Sequence, residues 1–149
     1  MNKIKFSKET LLKKKVFIFD FDGTIANSND LKAESFGDLY NEYGIDIKKK
    51  VIAYHKRNLG VDRYKKISYF HSELLGITLK KHELKSIAER FSNIVKQRVI
   101  QCDYIPGVLE FLQILKTKKI VCTINTATPD KEIVDILKKK KNLKVFFNC

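Results

Sequence analysis

Asp20 and Asp22 stand two residues apart, directly after the apolar run Val16-Phe17-Ile18-Phe19. In a continuing strand, residues two apart share a face. In a turn, the bending backbone lets the two carboxylates flank one small volume. Like charges so placed repel, and a bound divalent cation would relieve the repulsion. Magnesium prefers oxygen ligands and commonly takes one or two carboxylates together with waters and substrate phosphate. A carboxylate can also attack phosphorus and form an aspartyl-phosphate, dividing a hard hydrolysis into two steps. The second carboxylic acid can protonate the leaving oxygen and then deprotonate water. Gly23 and Thr24 would present backbone N–H groups to phosphate oxygens. The plainer alternative for the same residues is a solvated acidic turn.

The elements that must position such a site can be read from the apolar pattern. Val16 to Phe19 is a short continuous run, the pattern of a strand buried on both faces of a parallel sheet. Residues 1–14 are polar and read as a frayed lead-in. From Asn27 to Tyr104 the period becomes helical. Leu31, Phe36, Leu39 and Tyr43 mark one helix, with Gly44 as its stop. Further helices are expected over Lys48 to Lys56, from Tyr64 to Leu74 with Gly76 beyond, and through Leu84, Ile87, Phe91, Ile94 and Val95. After Pro106-Gly107, the residues Val108, Leu109, Leu112 and Leu115 predict another. Ile120 to Ile124 reads as a second buried-type strand. Thr128 is the expected N-cap of a last helix, with Pro129 at its first position and Lys138 to Lys141 in its last turn. Val145 to Phe147 are expected to begin a third strand. Strand–helix–strand order with such strands predicts an α/β fold with a parallel sheet, and ligands bind such sheets beyond the carboxyl ends of the strands. Asp20, Asp22 and Thr126 fall at those ends.

The string from Val16 to Ile25 strongly resembles the first motif of the haloacid dehalogenase-like (HAD) hydrolase superfamily, an apolar strand followed by D-x-D-G-T. Tyr104 to Val108 with Leu112 is similar to the segment that follows that family's helical cap. Ile120 to Pro129 resembles its second motif, a strand ending in Ser or Thr. The resemblance implies a Rossmann-like parallel-sheet core, here incomplete with about three strands, and an inserted all-helical cap. The core would comprise residues 1–26 and 105–149 and the cap residues 27–104. Asp20 would be the nucleophile and a Mg2+ ligand. Asp22 would be the general acid/base, its backbone carbonyl also binding Mg2+. Thr126, with the Ala127 N–H, would hold the transferring phosphoryl group. An aspartate at position 22 favours phosphatase or phosphomutase chemistry over dehalogenation. The cap resembles that of phosphoglycolate phosphatase-like members. Asn58 to Arg63 resembles the specificity loop of β-phosphoglucomutase relatives, which assigns Gly60 and Arg63 to the substrate. His55 is a weaker candidate, expected on a solvated helix face. His71 and His82 receive no role, and Lys65 and Lys66 are expected at the surface. The family's lysine motif and later acidic pair have no counterpart, so the resemblance also implies a C-terminally truncated chain. Less than half of the residues would then serve the sheet, a marginal core with an open strand edge.

The chain has 149 residues and a formal net charge of +13, carried almost wholly by lysine; the arginines are Arg57, Arg63, Arg90 and Arg98. Readers of bases and bidentate phosphate clamps favour arginine, so no specific nucleic-acid partner is expected. A lysine-rich solvated surface that attracts small anions is the expectation. No apolar run approaches the roughly 18 residues of a spanning helix, so no membrane association is expected. Cys102, Cys122 and Cys149 are odd in number and form no C-x-x-C pair, which predicts reduced thiols in a cytoplasmic protein. The expected function is Mg2+-dependent hydrolysis of a small phosphorylated metabolite. The alternatives are a phosphosugar mutase, an inactive remnant acting as a binding module, and lysine-driven polyanion binding.

Overall fold

The computed structural model of the chain describes residues 8–140 and 142–147. Its elements are α1 (Lys8–Leu12), β1 (Val16–Phe19), α2 (Asn29–Leu39), a 3-10 turn (Asn41–Tyr43), α3 (Ile45–Arg57), α4 (Arg63–Tyr69), a π-helical turn (Phe70–Leu74), α5 (Lys81–Gln101), α6 (Val108–Thr117), β2 (Val121–Ile124) and α7 (Asp130–Lys139). The two strands pair in parallel, Val16 opposite Val121 and Phe19 opposite Ile124. The architecture is α/β, with only helices between β1 and α6 to interrupt the sheet.

Several expectations change. Residues 8–12 form a short helix where an irregular lead-in was expected. Of the third strand expected over Val145 to Phe147, the described residues form turns. Among the described residues the sheet holds only β1 and β2, and the segment instead packs Phe147 into the apolar cluster, its ring 6.4 Å from that of Phe19. The strands are also not buried on both faces. Phe19 is buried, but Val16, Ile18 and Val121 lie exposed on the other face. Thr128 is not the N-cap of α7: Pro129 holds that position, and its carbonyl accepts from the Glu132 and Ile133 amides.

The helices bury one apolar cluster that runs without a break from the sheet side to the helical layer. Phe19, Phe21 and Ile25 belong to it, as do Phe36, Phe70, Phe91 and Val95 from the helices and Ile133, Ile136 and Leu137 from α7. Phe36 sits at its middle, its ring stacked on Phe91 at 3.8 Å and edge-on to Phe70 at 5.7 Å. In α6 the buried positions are Val108, Leu112 and Leu115, one stripe at helical spacing. The chain enters and leaves the helical layer through two adjoining segments: the Asn27 amide donates to the Asp103 carbonyl at 2.9 Å, and the Ile105 amide to the Ile25 carbonyl at 3.0 Å. Lys140, just past α7, turns inward. Its ammonium donates to the Val99 carbonyl at 3.0 Å and to the Cys102 carbonyl, satisfying the end of α5, and lies over the Tyr104 ring at 4.6 Å. Lys141 and Cys149 lie outside the described residues; Cys102 and Cys122 are free thiols. Among the described residues, no helix is long and apolar enough to cross a membrane.

Candidate active site

The turn after β1 is built by its apolar residues. Phe21 and Ile25 are fully buried, and the Phe21 carbonyl accepts from the Thr24, Ile25 and Ala26 amides. With Phe21 pinned inward, Asp20 and Asp22 are left outside. Gly23 has a φ of +72°, a left-handed conformation that suits glycine, and a Cβ there would come 2.2 Å from the Asn29 amide nitrogen. The Gly23 amide donates to the Ala26 carbonyl at 2.8 Å and the Thr24 amide to Phe21 at 3.4 Å, so both are engaged within the turn.

Asp20 is exposed, and its Oδ1 accepts from the Phe21 amide at 2.7 Å. Asp22 is half-buried and densely bonded. Its Oδ1 accepts from the Ser28 hydroxyl at 2.6 Å. Its Oδ2 accepts from the Lys32 ammonium at 2.5 Å and from the Thr128 hydroxyl at 3.1 Å. The register places the strand ends side by side, since the Asn125 amide donates to the Phe19 carbonyl at 2.9 Å. Thr126 is therefore two residues beyond the end of β2, as Asp20 is one beyond the end of β1. Its hydroxyl oxygen accepts from the Thr128 amide at 3.2 Å, and Ala127 is exposed.

Of the candidate substrate residues, Gly60 lies exposed in the loop before α4, and Arg63 opens that helix. The Asp62 carboxylate caps the helix, accepting from the Tyr64 amide at 2.8 Å. The Arg63 guanidinium crosses to α7, where it binds both oxygens of Glu132 at 3.0 and 3.3 Å, and it also reaches the Ser92 hydroxyl. It lies over the Phe91 ring at 5.3 Å. In this structure its hydrogen bonds are thus directed to protein groups.

Two residues sit where the sequence pattern did not put them. His55 is not on a solvated face but buried against the Phe36 ring, centroids 5.0 Å apart. Lys66 is not at the surface either: it is 2% exposed, its ammonium 3.2 Å from His55 Nδ1, 3.4 Å from the Leu59 carbonyl and 5.9 Å from the Phe36 centroid. Lys66 follows Arg63 by three positions, so both project from one face of α4. Burial, and then the nearby Lys32 charge, lowers the Lys66 pKa to about 8. Burial, then the Lys66 and Lys32 ammonium groups, lowers that of His55 to about 4. His71 is also buried, with Nδ1 2.9 Å from the Tyr40 hydroxyl and 3.0 Å from the Ile67 carbonyl. Lys32, Ser28, Thr128 and Glu132 were not read as site residues. The one available signal was position: Ser28 and Lys32 stand four apart at the start of a helix that follows the acidic turn.

As for a cation, the groups that would hold one are the Asp20 carboxylate, exposed at the end of β1, and the Asp22 carbonyl, both hard oxygens. No group of three or more His, Cys, Asp or Glu gathers among the described residues. Such a set suits magnesium, which keeps several waters and takes further oxygens from a substrate phosphate.

A two-stranded parallel sheet, an acidic turn at the carboxyl end of β1 and helices between the strands define an α/β protein, a class whose ligands bind beyond the carboxyl ends of the strands. The chain belongs to the haloacid dehalogenase-like hydrolase family, whose model it matches over residues 17–149. A comparison with curated proteins yields no match. Solved structures share the fold. A HAD hydrolase of family IA, variant 3, from Entamoeba histolytica aligns with a TM-score of 0.68 and 20% identity, over 91% of this chain and 58% of that one. A Thermotoga maritima protein, described as a candidate β-phosphoglucomutase, aligns at 0.64 and 24% identity over 90% and 59%. A mutant of CbbY from Rhodobacter sphaeroides, solved with xylulose 1,5-bisphosphate, aligns at 0.67 and 16% identity over 90% and 61%. The chain therefore spans about three fifths of the length of these relatives.

Proposed function

We propose that the chain carries the phosphoryl-transfer site of a phosphatase acting on a small phosphorylated metabolite in the cytoplasm, with residues 27–104 as the cap over a core of residues 1–26 and 105–149. The observation that carries this reading is the exposed Asp20 carboxylate at the carboxyl end of β1, with the bonded Asp22 carboxylate two residues on. Asp20 attacks phosphorus and forms an aspartyl-phosphate, releasing the alcohol. For Asp22 to protonate the leaving oxygen, one of its bonds to Ser28, Lys32 or Thr128 must first open and its carboxylate take up a proton; it then takes a proton from the water that cleaves the intermediate. The Thr126 hydroxyl and Ala127 amide orient the phosphoryl group. The Gly23–Thr24 turn fixes the spacing of the two carboxylates. Asp20 and the Asp22 carbonyl would hold Mg2+, which when bound neutralises charge on the phosphoryl oxygens. Gly60 and Arg63 face the rest of the substrate once Arg63 exchanges Glu132 for a substrate anion.

The test is Mg2+-dependent phosphate release from a panel of sugar phosphates, phosphoglycolate and nucleotides. Turnover is expected for the wild-type chain and its loss by Asp20→Asn. Equal activity of the two proteins would remove Asp20 as the nucleophile. Isomerised phosphosugar without phosphate release would identify a mutase instead. Absence of turnover across the panel would leave a HAD-derived binding module.

A further inference from the structure

Resting on the reading of Asp22 as the acid/base, we propose that Lys32 is a positioning residue that ties the Asp22 carboxylate to Thr128. Three chain segments meet here. The Lys32 ammonium donates to Asp22 Oδ2 at 2.5 Å and to the Thr128 hydroxyl oxygen at 3.1 Å. The Thr128 hydroxyl donates to the same Oδ2 at 3.1 Å, which closes the ring. Thr128 has a single hydroxyl proton. With Lys32 filling its acceptor side, that proton is aimed at Asp22.

Helix geometry explains why Lys32 arrives there. The Lys32 amide donates to the Ser28 carbonyl at 2.8 Å, so the two residues stack one turn apart. Ser28 then takes Oδ1 at 2.6 Å while Lys32 takes Oδ2. Both oxygens are held, from opposite ends of the carboxylate. The Lys32 and Asp22 side chains keep only 15% and 18% of their exposure, and Thr128 is buried. Lys32 acts through Asp22 and Thr128, not on the substrate.

Lys32→Met, Thr128→Val and Thr128→Ser are compared with the wild type using p-nitrophenyl phosphate and Mg2+. Lys32→Met and Thr128→Val should lower kcat about tenfold or more with KM nearly unchanged, as loss of orientation does. Thr128→Ser, which keeps the hydroxyl, should stay near the wild type. Unchanged kcat in Lys32→Met overturns the proposal, and so does a loss that lies mainly in KM, because that marks a substrate contact. Should Lys32→Met fail to fold, Thr128→Val against Thr128→Ser decides the same question. If the wild type shows no Asp20-dependent turnover, the phosphatase reading fails by itself, and urea unfolding of Lys32→Met, Asp22→Asn and the double variant decides about Lys32. Non-additive midpoints support the tie between the two side chains; additive ones overturn it.

Discussion

Lys66 shows how much one side chain can cost when its charge is taken out of water. Its ammonium has a histidine nitrogen and a carbonyl within reach, and its pKa falls to about 8 from an ordinary value of 10.5. Between those two values the unfolded chain binds the proton more often than the folded one, so stability rises with pH across that window. His55 acts the same way lower down: its pKa of about 4 lies below the ordinary 6.5, and stability is lost as the solution is acidified from 6.5 towards 4. Lys66→Met keeps the length and removes the charge. It should raise unfolding stability at neutral pH by about 1–3 kcal/mol and flatten the rise above pH 8, measured by urea denaturation across pH. None of this was legible from sequence. Asp20 and Asp22 announce themselves by spacing after an apolar run. Lysines at 32 and 66 look like any others in a lysine-rich chain, and only the approach of distant helices turns them inward.

At the scale of elements, the contact between α4 and α7 rests on an ion pair with both side chains nearly buried, Arg63 at 12% and Glu132 at 8% exposure. The geometry is bidentate, and Ser92 takes part of the remaining donor capacity. Removing one partner leaves the other charge buried without compensation. Glu132→Ala should therefore cost about 3–5 kcal/mol, while Arg63→Met with Glu132→Ala should recover part of that loss, both read by chemical denaturation. Helix positions were legible because apolar residues recur at helical spacing, as in α2, α5 and α6. The failures were of another kind. Val145 to Phe147 has the composition of a strand, yet it forms turns that pack Phe147 against Phe19 instead of extending along the sheet, a tertiary contact that propensity does not describe. Thr128 has a helix-capping side chain, but Asp22 and Lys32 engage its hydroxyl instead.

Across the whole molecule, the sheet buries one face and shows the other. Val16, Ile18 and Val121 are 50%, 68% and 59% exposed, and the register sets Val16 beside Val121. An open apolar strand face is an association hazard. The net charge of +13 opposes self-association at low ionic strength, and salt screens that repulsion. Light scattering of the wild type should therefore rise with added salt. Ile18→Lys should suppress that rise, with unfolding stability changed by no more than about 0.5 kcal/mol. The α/β class was legible from the order of apolar runs and one motif, as was the position of the Asp20–Asp22 turn directly after β1. The single apolar cluster joining sheet and helices was not, because periodicity describes each helix without saying which others it will meet.

The inward turn of Lys140 bears on the order in which the chain assembles. The Val99 and Cys102 carbonyls that it satisfies precede it by 41 and 38 residues. During synthesis α5 leaves the ribosome well before α7, and at about 5–20 residues per second that interval lasts seconds, far longer than helix formation needs. Through that delay the Val99 carbonyl has the nearby Cys102 thiol, 3.3 Å away, and the Cys102 carbonyl awaits Lys140. The bonds of the Lys140 ammonium to the end of α5 are therefore made only after α7 has been synthesised.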